Sequence, residues 1–179
     1  MEKRQQPRRS DADEAIPRAL VFNTRAAVLA SILEHNPIID AYLLNYLDNF
    51  SVGPLLKVVE ARQGLTRPEW IVIFCLSQRE GLNAQQIGEV TGRAKSSISH
   101  AVKLLQKKAL LVRCPDPADG RRQVLMLTDR GRAAYLDLVS FFVEREKGML
   151  SCLTQSERST LRKLMIKLTD NMESWAKSY

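Results

Sequence analysis

The stretch from Leu82 to Leu127 constrains the fold more than any other part of the chain. Ala84 to Thr91 reads as a short helix, Gly92 breaks it, and Lys95 to Lys108 carries Ile98, Ala101, Val102, Leu105 and Ala109 along one helical face. So few residues separate the two segments that they predict a tight angular pair, a helix-turn-helix. Two apolar segments, Leu110 to Arg113 and Arg121 to Leu127, then flank the loop Cys114-Pro115-Asp116-Pro117-Ala118-Asp119-Gly120, which predicts a β-hairpin. A hairpin directly after a helix-turn-helix is a wing.

Charge is concentrated in the same place. From Arg93 to Arg132 there are ten Lys or Arg against three Asp, an excess equal to the chain's whole net charge of +7. The rest of the chain is balanced, so the basic field belongs to this window and predicts a polyanion-binding surface. Three cysteines without paired spacing give no disulfide framework and fit a reducing cytosol. The apolar run Ile71 to Leu76 is too short for a membrane span, and no secretory core follows the polar N-terminus, so a cytoplasmic protein without a membrane partner is expected.

Helices are predicted on both sides. Residues 1 to 15 read as a polar, basic tail, and Leu20, Val21, Val28, Leu29 and Ile32 predict a first helix from Pro17 to Leu33. Ile39, Tyr42, Leu43, Tyr46, Leu47 and Phe50 begin a long helix that continues past Gly53-Pro54, with a kink there, to Gly64. Thr66, Pro68 and Glu69 start a helix from Trp70 to Gln78. Thr128 caps a helix running to about Leu150, and Thr154 with Glu157 opens a last one, from about residue 155 to 175, whose Leu161, Leu164, Met165, Leu168, Met172 and Trp175 form an apolar stripe. The fold class is therefore mainly α with a small β-wing. Four segments are expected: the tail, N-terminal helices over 16–63, the winged lobe over 64–132 and C-terminal helices over 133–179.

This order resembles the multiple antibiotic resistance regulator (MarR) family of bacterial transcription factors, and the local sequences agree. Leu82 to Gly92 followed by Lys95 to Leu105 resembles that family's supporting and recognition helices. Asp119-Gly120-Arg121 leading into Leu127-Thr128-Asp129-Arg130-Gly131-Arg132 resembles its wing signature. Arg93 and Ala94 depart from the family turn, which leaves the recognition helix either shifted at its start or without a side-chain cap.

With its apolar face buried, the recognition helix presents Ser96, Ser99, His100, Lys103 and Lys107, with Lys95 and Ser97 near its N-terminus. Hydroxyls and imidazole suit base edges, and the lysines suit phosphates. In the wing, Asp119 and Arg121 share a face if extended, so the carboxylate is expected to orient the guanidinium. The resemblance implies that Arg121 enters the minor groove, with Arg113 and Arg122 on phosphates. It also implies a homodimer, built by the N- and C-terminal helices, on a pseudo-palindromic operator in double-stranded DNA.

No nucleophile elbow, P-loop or metal-ligand spacing appears, so neither an enzyme nor a resident cofactor or metal is expected. By family analogy the protein is a repressor released by a small organic effector, an aromatic carboxylate or its coenzyme A thioester. The implied pocket residues are Tyr42, Tyr46, Trp70 and Phe74, with Arg62 or Arg67 for an anionic group. Two alternatives stay open: a thiol switch at Cys75, Cys114 or Cys152, and an architectural DNA-binding protein with no effector.

Overall fold

Helix start signals are the most reliable local determinants in this chain. The computed structural model describes residues 24–176, and the predicted residues 1 to 23 of the tail and first helix lie outside them. Two units are described separately, one ending at Tyr46 and one beginning at Leu47. In the first, Thr24 accepts from the Ala27 N–H and caps α1 (Arg25–Glu34). The Arg25 guanidinium donates to the Tyr46 hydroxyl at 2.6 Å, and Tyr46 stacks near Tyr42 on α2 (Ile39–Ser51), a helix that runs on into the second unit.

The kink expected at Gly53-Pro54 is a break. α2 stops at Ser51, and α3 (Gly53–Gln63) begins with Pro54 in its first turn. Proline has no N–H to donate back up the helix, and its ring crowds the preceding turn, so a new helix starts instead. Gly64 ends α3 in the left-handed region at φ 60°, where a side chain is disfavoured. Then come α4 (Arg67–Gln78), α5 (Ala84–Thr91), α6 (Lys95–Lys107), β1 (Leu111–Pro115), β2 (Gln123–Leu127) and α7 (Asp129–Met149). The last predicted helix is interrupted at Asn171 into α8 (Gln155–Asp170) and a single turn, α9 (Met172–Ala176).

The core of the second unit lies between α4, α6, the hairpin and α7. Ile73 and Leu76 of α4, Ile98, Val102 and Leu105 of α6, Leu111 and Leu127 of the hairpin, and Leu138 of α7 are fully or almost fully buried. β1 and β2 pair antiparallel with Leu111 opposite Leu127 and Arg113 opposite Leu125. The turn before α5 adds to this sheet: Gly81 N–H donates to the Leu125 carbonyl, and Leu125 N–H donates to that of Leu82. Trp70 is stacked between Phe142, at 4.6 Å between ring centroids, and Tyr135, at 6.0 Å. No described helix is long and apolar enough to cross a membrane.

Two tertiary ties fix α6. At its C-terminal end Lys108 donates to the Glu69 carboxylate at 2.6 Å and to the Gly64 carbonyl at 2.8 Å, joining it to the start of α4. Glu69 is fully buried and also accepts from the Thr66 N–H and hydroxyl. Burial pushes its carboxyl upward, but the hydrogen bonds from Lys108 and Thr66 win and hold it below the ordinary range. The second tie is Thr128, which caps α7 while its N–H and hydroxyl donate to the carbonyls of Leu110 and Ala109. Ala109 sits there at φ 55°, and a Cβ on Gly131 would collide with the Leu110 carbonyl oxygen.

Candidate nucleic-acid interface

The helix-turn-helix is built from two ordinary signals. Asn83 caps α5 by accepting from the Gln86 N–H at 3.0 Å, while the Gln86 side chain accepts from the Asn83 N–H at 2.9 Å. Gly92 closes α5 at φ 63°, and α6 starts at Lys95 after Ala94, which makes no side-chain cap. Of the two outcomes left by the unusual turn, the helix is in register and simply lacks the cap. Gly88 lets the turn close, since a Cβ there would stand 3.0 Å from the Arg93 carbonyl oxygen.

Burial divides α6 into faces. Ile98, Ala101, Val102 and Leu105 are buried, the positions expected from periodicity. Ser96, His100, Lys103 and Lys107 are exposed and follow one another by four, three and four residues, so they form a single ridge. Lys95, Ser99 and Gln106 share a second ridge beside the hairpin, and Ser97 is half-buried.

Between that second ridge and the wing lies a groove of about 340 Å³. It brings together Lys95 and Ser99 of α6, Arg113 of β1, Arg122 of the wing loop, and Asn83 and Gln85 at the start of α5. Three cations from three elements converge, and no carboxylate lines the groove. Such a surface attracts a polyanion both by long-range field and by local hydrogen bonding. Asn83, Gln85 and Gln123 were not singled out by sequence; their only signal was proximity to a cap or to the wing arginines.

The wing corrects one expectation. Residues 116–122 form a loop rather than extended strand, and Asp119 does not orient the Arg121 guanidinium by the expected geometry. Its carboxylate accepts instead from the Arg121 backbone N–H at 3.1 Å, while its backbone joins a turn with Asp116 and Arg122. Asp119 shapes the loop, and Arg121 stands exposed at its tip.

The residues expected around an effector come from both units. Tyr42 and Tyr46 belong to the first unit, the other four to the second. Trp70 is 5% exposed within its aromatic stack, whereas Phe74 is 45% exposed. Arg62 donates to both oxygens of Asp137, at 3.1 and 2.6 Å, and Gln63 donates to the same carboxylate. The Arg62 hydrogen bond, then that from Gln63, hold Asp137 below the ordinary carboxylate range. Arg67 is paired with Asp48 at 3.2 Å. Both guanidiniums thus already carry a carboxylate. A separate apolar groove of about 560 Å³ runs past Phe50, Leu55, Val58, Phe141 and Met149, with Glu144 and Arg145 on its lining. Among the cysteines, burial pushes the Cys75 thiol upward, away from the reactive thiolate.

Residues 63–122 match the sequence model of the MarR family, the segment that contains the helix-turn-helix and the wing loop. This segment is similar to the winged helix-turn-helix of the MarR family. The fold agrees over most of the chain: a MarR/EmrR family transcriptional regulator from Acinetobacter sp. ADP1 superposes with TM-score 0.68 at 26% identity, covering 75% of this chain and 95% of that one. The PcaV transcriptional regulator of Streptomyces coelicolor, in complex with its natural ligand, gives TM-score 0.60 at 26% identity over 77% of this chain and 94% of PcaV. In sequence, the HTH-type transcriptional regulator TtmR of Methylorubrum extorquens (strain PA1) is 25% identical over 135 residues, 74% of this chain and 67% of TtmR. Over that segment in sequence, and over most of the chain in fold, the protein is similar to DNA-binding transcriptional regulators of the MarR family.

Proposed function

We propose that this MarR-family protein is a repressor that binds a pseudo-palindromic operator as a homodimer and is released by a small aromatic carboxylate or its coenzyme A thioester. The observation that carries the DNA arm is the cationic groove beside α6, where Lys95, Arg113 and Arg122 converge without a carboxylate in the lining. In this reading Ser96, Ser97, Ser99 and His100 meet base edges, and Lys95, Lys103, Lys107, Arg113 and Arg122 meet phosphates. Arg121 enters the minor groove from the wing tip, held in place by the loop that Asp119 shapes.

The dimer arm rests on α8. Leu161, Leu164, Met165 and Leu168 are each exposed in the single chain, a stripe of the kind that marks an association surface. One winged unit offers few base contacts, and a two-fold pair doubles them over half-sites about one DNA turn apart. The effector arm is supported by likeness to PcaV, solved with its natural ligand, and by the apolar groove, whose size suits a small aromatic acid and whose lining includes Arg145.

The deciding experiment is fluorescence anisotropy on the DNA upstream of the protein's own gene, repeated with benzoic and cinnamic acids and their coenzyme A thioesters. Tight binding reversed by one of these ligands is expected. Equal affinity for that DNA and for random duplex would remove the operator reading, and binding that no ligand of the panel weakens would remove the effector reading. An architectural protein predicts the first of those results.

A further inference from the structure

We propose that Gln106 is a positioning residue for DNA binding: it fixes the Arg113 guanidinium over the groove between the recognition helix and the wing, ready for a backbone phosphate. The inference deepens the phosphate-contact reading of Arg113 given above.

Strand register supplies the first part of the argument. Arg113 is two residues from buried Leu111 and directly opposite buried Leu125, so it leaves the hairpin on the inner face that meets the core. Its side chain runs along the edge of α6. There the Arg113 Nε–H donates to the Gln106 Oε1 at 3.2 Å. Bonding through Nε leaves the two terminal nitrogens of the fork available for a phosphate.

Helical spacing supplies the second part. Gln106 shares the ridge of Lys95 and Ser99, both of which line the groove with Arg113. Gln106 is half-buried and neutral, so it holds the arginine without cancelling its charge. A carboxylate there would hold it more firmly and neutralise it. An arginine carries several freely rotating bonds, and restricting it before binding removes part of the entropy cost of the contact.

The test is a double-mutant cycle with Gln106→Ala and Arg113→Gln, read by anisotropy on a short fluorescein-labelled random-sequence duplex over a range of salt concentrations. Arg113→Gln is expected to weaken binding about tenfold at low salt and to lower the salt slope by about 0.9, the signature of one lost phosphate contact. Gln106→Ala is expected to weaken binding about threefold, the worth of one hydrogen bond, with no change in urea midpoint. Added to Arg113→Gln it should do nothing further. Gln106→Glu should weaken binding at least as much as Gln106→Ala despite keeping an acceptor. If Gln106→Ala has no effect, or the same effect with and without Arg113, the positioning role is wrong. If Arg113→Gln itself leaves the affinity and slope unchanged, the phosphate reading of Arg113 has failed instead.

Discussion

Removing the Lys108 ammonium isolates a buried charge whose energetics follow from its surroundings. Glu69 is 0% exposed, and its carboxylate is held by the Lys108 ammonium at 2.6 Å and by the Thr66 N–H and hydroxyl, each at 2.8 Å. Lys108→Met keeps the aliphatic stem but leaves a buried carboxylate with two neutral donors and strips a donor from the Gly64 carbonyl. Breaking a buried pair from one side costs about 3–5 kcal/mol. The lysine side chain is 35% exposed, so water reaches part of the site and the lower end, about 3 kcal/mol, is expected at neutral pH.

The pH dependence distinguishes this cause from simple loss of packing. In the native protein the Glu69 carboxyl lies below its ordinary value, because the hydrogen bonds from Lys108 and Thr66 outweigh the upward push of burial. Its stabilising contribution is therefore full above the unfolded value, about 4.3, and is lost as pH falls through the lower folded value. In the variant burial dominates, the carboxyl rises above the unfolded value, and stability falls as pH rises. Native and variant should differ by about 3 kcal/mol at neutral pH, a urea midpoint shift of about 1.5 M, and by clearly less at acid pH, below the ordinary carboxylate value. Glu69→Gln combined with Lys108→Met should restore part of the neutral-pH loss. Circular dichroism during urea unfolding at both pH values reads all of this. An equal deficit at both, or a neutral-pH deficit below about 0.5 kcal/mol, would refute the account.

Gly131→Ala should destabilise the second unit by about 2–3 kcal/mol in urea unfolding, because the new methyl meets the Leu110 backbone, which cannot rotate away. Thr154→Ala should cost about 1 kcal/mol and reduce far-ultraviolet helicity, since Thr154 caps α8 together with Glu157. Leu164→Glu with Leu168→Glu should shift sedimentation toward the single chain and weaken operator binding, while an unchanged sedimentation coefficient would exclude α8 from the dimer surface. Arg121→Ala should lower operator affinity by about 1–3 kcal/mol without changing the urea midpoint, and unchanged affinity at moderate salt would remove the minor-groove assignment.

What periodicity and caps determine could be read directly from the sequence. The buried face of α6 follows from apolar residues three and four apart, and the starts of α7 and α8 follow from Thr128 and Thr154, whose side chains accept the orphan N–H groups of the first turn. Long-range partners left no such trace. Lys108 stands beside Lys107 and has the same local reasons to be a surface cation, yet its partner Glu69 lies 39 residues earlier. Arg62, one of two arginines expected by family analogy to face an anionic ligand, is held by Asp137, 75 residues later, a partner that local spacing does not reveal. Trp70 follows the same pattern: its partners Phe142 and Tyr135 come from another helix, more than 60 residues later, where local spacing cannot reveal them. Asp119 failed for a local reason, because its side chain bonds its own turn, an alternative always open to a short carboxylate.

The two ties on α6 also bear on how a signal can act within the second unit. Lys108 joins the end of the recognition helix to α4, and the Ala109-Leu110 backbone is bonded to Thr128 at the start of α7 and packed against Gly131. These contacts are largely backbone or buried, so bending α6 alone would break a buried ion pair and several hydrogen bonds together. That cost exceeds the roughly 1.4 kcal/mol needed for a tenfold change in DNA affinity. A ligand favouring one arrangement by that smaller amount cannot deform the lobe, but it can shift an equilibrium in which α6, the wing and the start of α7 move as one body. In the proposed reading, these energetics direct regulation toward the placement of an intact winged lobe, and away from remodelling the surface assigned to the bases.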